Sequence, residues 1–237
     1  MKKDLPRDEL RGLVDLTLRY VRQGGHALAG DITCKSSRGI DQPAVKKANA
    51  TDAMREIEQA VLSCAKCPLH AGRTNAVPGE GSTNSGLVFI GEAPGANEDR
   101  QGRPFVGRSG ELLTKIITRG MEITREEVYI TNIVKCRPPG NRNPLPGEIE
   151  QCRPYLLKQL EIIRPRVICT LGKFAAQCLL QSKAPISRLR GKQYEYKGIP
   201  LVPTFHPAYL LRNYTKEARR QVWDDVRTAV DILKSGA

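Results

Sequence analysis

The sequence predicts an α/β fold in three layers, a central sheet of the parallel type flanked by helices on both faces. Three observations carry this. Short apolar runs, Leu87 to Ile90 and Arg166 to Leu171, read as buried strands. Segments with helical spacing alternate with them, and that alternation implies a mostly parallel sheet covered on both sides. Glycine- and proline-rich loops follow the strands, where open α/β sheets place their ligands.

The first fifty residues differ from the rest. From Asp8 to Arg22 apolar residues recur with helical spacing, among them Leu10, Leu13, Val14, Leu16 and Leu18, and Gly24 and Gly25 stop that helix. Gly30 to Ala50 is polar and aperiodic, a linker by composition. Residues 1–50 are therefore expected to be an extension of short helix plus linker, and residues 51–237 the functional domain. That domain opens on Thr51 as N-cap, with Met54, Ile57, Ala60 and Val61 on one face.

After Leu87 to Ile90 comes a helix over Gly110 to Gly120, apolar at Leu112, Leu113, Ile116 and Ile117 and ended by its glycine. Val128 to Val134 reads as a second strand. Pro146 starts a helix to Ile163, since proline suits a first helical turn. Arg166 to Leu171 is a third strand and Lys173 to Leu180 a helix. Tyr194 to Tyr196 and Ile199 to Val202, around Lys197-Gly198, suggest a hairpin or a strand pair. Lys216 to Leu233 is the last helix.

The chain is 40% hydrophobic over 237 residues, enough for a core, yet no run is long enough for a membrane span. The basic start lacks an apolar segment and cleavage site, so no signal peptide is expected. A formal charge of +13 points to a polyanion, most simply nucleic acid. With only 5% aromatic residues, a large base-stacking platform is disfavoured.

Seven cysteines without an export signal argue against a disulfide framework. Cys64 and Cys67 form a CxxC, which alone is a redox pair, half of a metal site or an accident. Cys136 and Cys152, each followed by Arg-Pro, make a four-thiolate site the better reading, and such a soft site selects zinc or an iron–sulfur cluster. The wide split of the second pair fits a cluster slightly better. Cys169, in a buried strand, and Cys178, on an apolar helix side, read as core thiols. Cys34 has no near partner.

Three loops carry the remaining chemistry. Gly91 to Gly107, GEAPGANEDRQGRPFVG, offers backbone rather than bulky side chains, then a phenylalanine between glycines, as a flat ligand would require. The second runs from Asn132 to Pro144. The third is Phe205 to Arg212, FHPAYLLR. The glycines at 91 and 95 are not a GxGxxG and no P-loop lysine follows, which counts against a nucleotide-phosphate enzyme.

Together with the four cysteines, the motifs GEAPG, QGRPFVG, TNIVKCRPP, CRPYL and HPAYLLR resemble the family 4 uracil-DNA glycosylases, over about residues 51–230. The resemblance implies a structural [4Fe–4S] cluster on Cys64, Cys67, Cys136 and Cys152. It implies uracil in DNA as substrate and hydrolysis of its N-glycosidic bond, leaving free uracil and an abasic site. It implies base flipping, because the bond is hidden inside a duplex.

Residue roles follow from it. Phe105 stacks on uracil, and backbone groups of Gly91, Glu92 and Ala93 line its edge. Asn132 accepts from N3–H and donates to O4, a pattern that cytosine reverses. Glu92 or Glu98 walls off the thymine methyl. His206 donates to the developing charge on O2. Where the best-known enzymes of the superfamily carry an aspartate, this chain has Ala93, so the water is held by Glu98, Asp99 or Asn141; our expectation is bond breakage largely before attack, with Asn141 or Glu98 holding water. Leu210 and Leu211 supply an apolar wedge and Arg212 grips phosphate, with Lys135, Arg137 and Arg142 as further phosphate contacts. No histidine lies between Asn132 and Pro144, so a lasting covalent product of the kind formed by a related branch is not expected. His70 lies near the cysteines; His26 is unrelated. A cytoplasmic monomer is expected. The competing class is a non-enzymatic, metal-stabilised nucleic-acid-binding module, which would release no uracil.

Overall fold

The structure, a computed structural model, describes residues 47–235. One sheet runs in the order β1-β3-β2-β4-β6-β5, with β1 at Glu80–Gly81, β2 at Leu87–Gly91, β3 at Tyr129–Asn132, β4 at Val167–Leu171, β5 at Tyr194–Tyr196 and β6 at Ile199–Thr204. The four inner strands, β3, β2, β4 and β6, pair in parallel, as the alternation of strand and helix predicts. The edges correct a purely parallel sheet, because β1 and β5 pair antiparallel. For β5 the reason is local: Lys197 (φ 51°) and Gly198 (φ 81°) both adopt positive φ, the geometry of a two-residue hairpin, which joins only antiparallel strands.

Among the described residues eight α-helices surround the sheet: α1 (Lys47–Leu62), α2 (Ala96–Gln101), α3 (Arg108–Lys115), α4 (Pro146–Ile163), α5 (Lys173–Leu180), α6 (Ile186–Leu189), α7 (Pro207–Arg212) and α8 (Lys216–Ser235). Successive strand residues point to opposite faces. Val88 and Ile90 therefore join a core with Met54, Val61, Leu156 and Leu179 from α1, α4 and α5. Leu87 and Phe89 join the other, with Leu113, Leu210 and Val226 from α3, α7 and α8. Both faces are covered, so β2 and β4 are buried at every position and read as continuous apolar runs.

The bounds of α4 and α5 coincide with the expected ones. Thr51 is not a cap; it lies inside α1, and the last residues assigned to the linker, 47–50, are helical. The expected Gly110–Gly120 helix starts earlier, at Arg108, and widens into a π-type turn over Ile116–Gly120. Gly120 lies against Trp223, where a Cβ would come within 2.8 Å of the indole. Cys169 is fully buried and Cys178 half-buried, both as free thiols. The helix expected over Asp8–Arg22, Cys34 and His26 lie outside the described residues.

Candidate active site and cysteine chamber

The C-terminal ends of β2, β3 and β6 deliver three loops to one cleft of about 520 Å³, within the range typical of small-ligand sites. Glu92, Ala93, Glu98, Phe105, Asn132, Asn141, His206 and Arg212 line it. The parallel register sets Gly91 beside Asn132. A Cβ on Gly91 would lie 2.3 Å from Asn132 Oδ1 and 2.5 Å from the Phe105 ring, so only glycine lets the amide, the aromatic edge and the β2 backbone converge.

Asn132 is buried, and its Oδ1 has no partner among the described residues. An orphaned buried acceptor costs about 1–3 kcal/mol, a cost that a ligand N–H at this point would remove. Strands β2 and β3 hold the amide rigidly, since Ile133 and Val134 N–H donate to Gly91 and Glu92 carbonyls at 3.0 and 3.1 Å.

Phe105 sits in the left-handed region at φ 51°, unfavourable by about 1–2 kcal/mol for such a residue. Its loop is pinned on both sides. Glu98 Oε1 accepts from Val106 and Gly107 N–H at 2.9 and 2.8 Å, while Oε2 accepts from Gly95 N–H at 3.1 Å. Arg125 Nη2 donates to the Pro104 carbonyl at 2.6 Å and is itself braced by Glu80. Gly110 of α3 is required as well: a Cβ there would lie 1.8 Å from the Phe105 carbonyl oxygen. The ring centroid stands 5.6 Å from that of His206.

His206 caps α7. Its Nδ1 accepts from Ala208 N–H at 3.1 Å. A backbone N–H only donates, so Nδ1 is unprotonated and Nε2 carries the ring hydrogen. Burial, then the Arg212 guanidinium, push its pKa down to about 4, against the pull of Glu98. The ring is thus a neutral Nε2–H donor at ordinary pH. Glu92, half-buried on the cleft wall, is driven up to about 7 by burial, which Lys173 only partly offsets.

Several sequence expectations are corrected. Lys135 does not reach phosphate: it is 1% exposed and its ammonium is enclosed by Thr131, Asn132 and Gln159. The residue lies just beyond the strand end and the next turn folds inward, which spacing does not reveal. Leu210 is not a wedge; at 3% exposed it anchors α7 in the core, leaving Leu211 half-buried at the surface. Asp99 is buried and accepts from Thr74 and Asn75 N–H, so it holds no water. Arg142 lines the cleft but is tied bidentate to the buried Glu148 at 2.9 and 2.6 Å. Arg137 donates to Asn141 Oδ1 at 2.8 Å. Arg108 and Ser109, not singled out from the sequence, also line the cleft; their position directly after the QGRPFVG motif was the available signal.

On the other side of β3, Cys64, Cys67, Cys136 and Cys152 line one small chamber with Val61, Lys66, His70 and Tyr155. They bring together the end of α1, the turn after β3 and the first turns of α4. Arg73 Nη1 donates to Cys136 Sγ at 3.0 Å and Lys135 N–H to Cys152 Sγ at 3.2 Å. Burial pushes the Cys136 thiol up, and that of Cys152 to about 11. A chamber of four thiols with donors aimed at sulfur fits a thiophilic metal group. Among the described residues no three His, Cys, Asp or Glu stand close enough to hold a single metal ion. No described helix is long and apolar enough to cross a membrane.

Residues 78–227 match the model of the uracil DNA glycosylase superfamily. A type-4 uracil-DNA glycosylase of Thermotoga maritima is 48% identical over 183 residues, 76% of this chain and 95% of that protein. One of Archaeoglobus fulgidus is 44% identical over 184 residues, 74% and 91% of the two chains. A type-5 uracil-DNA glycosylase of Pyrobaculum aerophilum is only 29% identical, over 68% of this chain and 75% of its own. With the cleft, the cysteine chamber and these matches in agreement, the chain belongs to the uracil-DNA glycosylase superfamily and, within it, to the type-4 enzymes.

Proposed function

We infer that this chain is a DNA-repair glycosylase that takes uracil out of DNA by hydrolysing its N-glycosidic bond. The single observation that carries the reading at the site is the orphaned Oδ1 of Asn132, facing a cleft with an aromatic ring and an imidazole N–H.

The base must leave the stack to reach a cleft at the strand ends. Phe105 stacks on the uracil ring, and the backbone of Gly91, Glu92 and Ala93 lines its edge. Asn132 accepts from N3–H and donates to O4. Cytosine would leave two mismatched buried groups, at about 1–3 kcal/mol each, hence a rejection of about two to four orders of magnitude. For thymine, Glu98 is occupied with loop N–H groups, so Glu92 is the wall that meets the C5 methyl.

As the bond breaks, negative charge grows on uracil O2 and positive charge on the sugar. The neutral His206 donates Nε2–H to O2; one preorganised donor at a developing oxyanion contributes about 3 kcal/mol. Its depressed pKa suits it to stay neutral and donate without transferring a proton. Glu98, anionic and cleft-lining, favours the positive sugar while it holds the loop, and Asn141 places the water that completes hydrolysis. Leu211 and Arg212, on the short helix after His206, face DNA as wedge and phosphate contact.

Cys64, Cys67, Cys136 and Cys152 would hold a [4Fe–4S] cluster. Four thiols in one small chamber, with N–H donors aimed at two of the sulfurs, support a thiolate-bound group of this kind. When bound it supplies a structural staple of α1, β3 and α4. The glycosylase domain begins at Lys47, so that the boundary falls before α1 and not inside it. A monomer acting in the cytoplasm, at the chromosome, is the reading that a DNA substrate favours.

The test is release of free uracil from an oligonucleotide panel with uracil opposite guanine, opposite adenine and unpaired. Release with strand breakage only after alkali is expected; no release by cluster-loaded protein would overturn the reading.

A further inference from the structure

Lys135 is an unusual lysine. Its side chain is wholly enclosed, and its ammonium donates to Thr131 Oγ1, to the Asn132 carbonyl at 2.9 Å and to Gln159 Oε1 at 2.7 Å. All these acceptors are neutral, whereas a buried charge is ordinarily paired with an opposite one. The network behind it is closed: Thr131 Oγ1 donates to the Pro78 carbonyl, and Gln159 Nε2 donates to the same carbonyl and to Tyr129 Oη. The backbone N–H of Lys135 donates to Cys152 Sγ, and the next residue is Cys136. One residue therefore touches the thiol set through its main chain and the peptide of Asn132 through its side chain. Metal-bound thiolates would supply the negative charge that the ammonium otherwise lacks.

We propose that Lys135 is a positioning residue that ties the base-reading Asn132 to α4 and to the cysteine chamber, so that a filled chamber is what organises the uracil pocket. This rests on the reading of Asn132 given above. With a hydrophobic side chain in its place, the Asn132 carbonyl and Gln159 Oε1 lose their donor, and the Asn132 peptide loses its tie to α4.

The experiment measures the affinity of cluster-loaded protein for free uracil and, separately, for an abasic-site duplex. Asn132→Ala should abolish free-base binding; if it does not, the Asn132 reading itself fails. Lys135→Met, with iron content and helical signal retained, should weaken uracil binding about 10-fold or more, the consequence of stranded buried acceptors, while duplex affinity stays put. A general loss of structure would move both. Thr131→Val, an isosteric change that removes one acceptor of the ammonium, should weaken uracil binding about 3-fold or more by the same reasoning, and it decides the matter if Lys135→Met does not fold. Unchanged uracil affinity in a loaded Lys135→Met or Thr131→Val protein, with Asn132→Ala inactive in binding, would overturn the link and leave the base reading intact.

Discussion

At the scale of single residues, protonation decides the chemistry. Because Ala208 N–H donates to Nδ1, the neutral His206 ring carries its single hydrogen on Nε2, and protonating Nδ1 would break that cap. Its pKa falls from 6.5 to about 4. A depressed pKa contributes stability that is present above the unfolded value and is lost as pH falls through the folded one. The contribution of His206 to stability should therefore decline progressively from about pH 6.5 to about pH 4, while the ring in the folded protein stays neutral down to about pH 4; its proton resonances followed by NMR should titrate there and not near 6.5. His206→Ala should lower the single-turnover rate about 10²–10³-fold while DNA affinity is kept; an unaltered rate would remove histidine from the mechanism. Glu92→Ala should admit the thymine methyl, raising release from T·G mismatches by about one to two orders of magnitude, since the overpacking it relieves costs about 1–3 kcal/mol. Assay of free thymine checks this. The motif residues Phe105, Asn132 and His206 were legible because their loops have a fixed order and neighbours. Lys135 and Leu210 were misread because a residue's side of the backbone is set by the tertiary turn, not by its neighbours in sequence.

Among elements, the first loop shows how a strained backbone is made rigid. Phe105 holds a left-handed conformation between two fixed points, Arg125 on the Pro104 carbonyl and Glu98 on Val106 and Gly107 N–H. Glu98→Ala leaves those N–H groups without their charged acceptor, so the protein should lose about 1–3 kcal/mol in denaturant unfolding together with uracil release. Loss of activity at unchanged stability would instead make Glu98 a purely chemical group. The helices α4 and α5, of eighteen and eight residues, were readable to the residue from Pro146 at one start and Gly172 before the other. The helices of six residues or fewer, α2, α6 and α7, were not, since they hold too few turns to show periodicity. The hairpin of β5 and β6 was anticipated from Lys197-Gly198, but its consequence, an antiparallel edge on a parallel sheet, was not carried through. β1, two residues long, offers no alternation at all.

For the molecule as a whole, the two sides of β3 divide the work. One side gathers the cysteines with α1 and α4; the C-terminal end opens on the cleft. Removing the metal group by chelation and oxidation should lower the melting temperature, because it frees three elements at once, and should bleach the broad absorbance near 400 nm (order of magnitude) expected of a thiolate-bound cluster. A colourless protein with tightly bound zinc would contradict the cluster assignment. The formal charge of +13 was enough to predict a polyanionic partner but not which arginines meet it. With Arg142 tied to Glu148, Arg212 remains as a cleft-rim cation, and Arg212→Ala should reduce the salt slope of duplex binding by about one.

The measurement that bears most directly on the central claim is a crystal structure of the cluster-loaded protein with free uracil. The base should lie on the Phe105 ring, its N3 and O4 facing the Asn132 amide and its O2 within hydrogen-bond reach of His206 Nε2. Uracil bound elsewhere, or in this cleft with O2 turned away from the imidazole, would contradict the account.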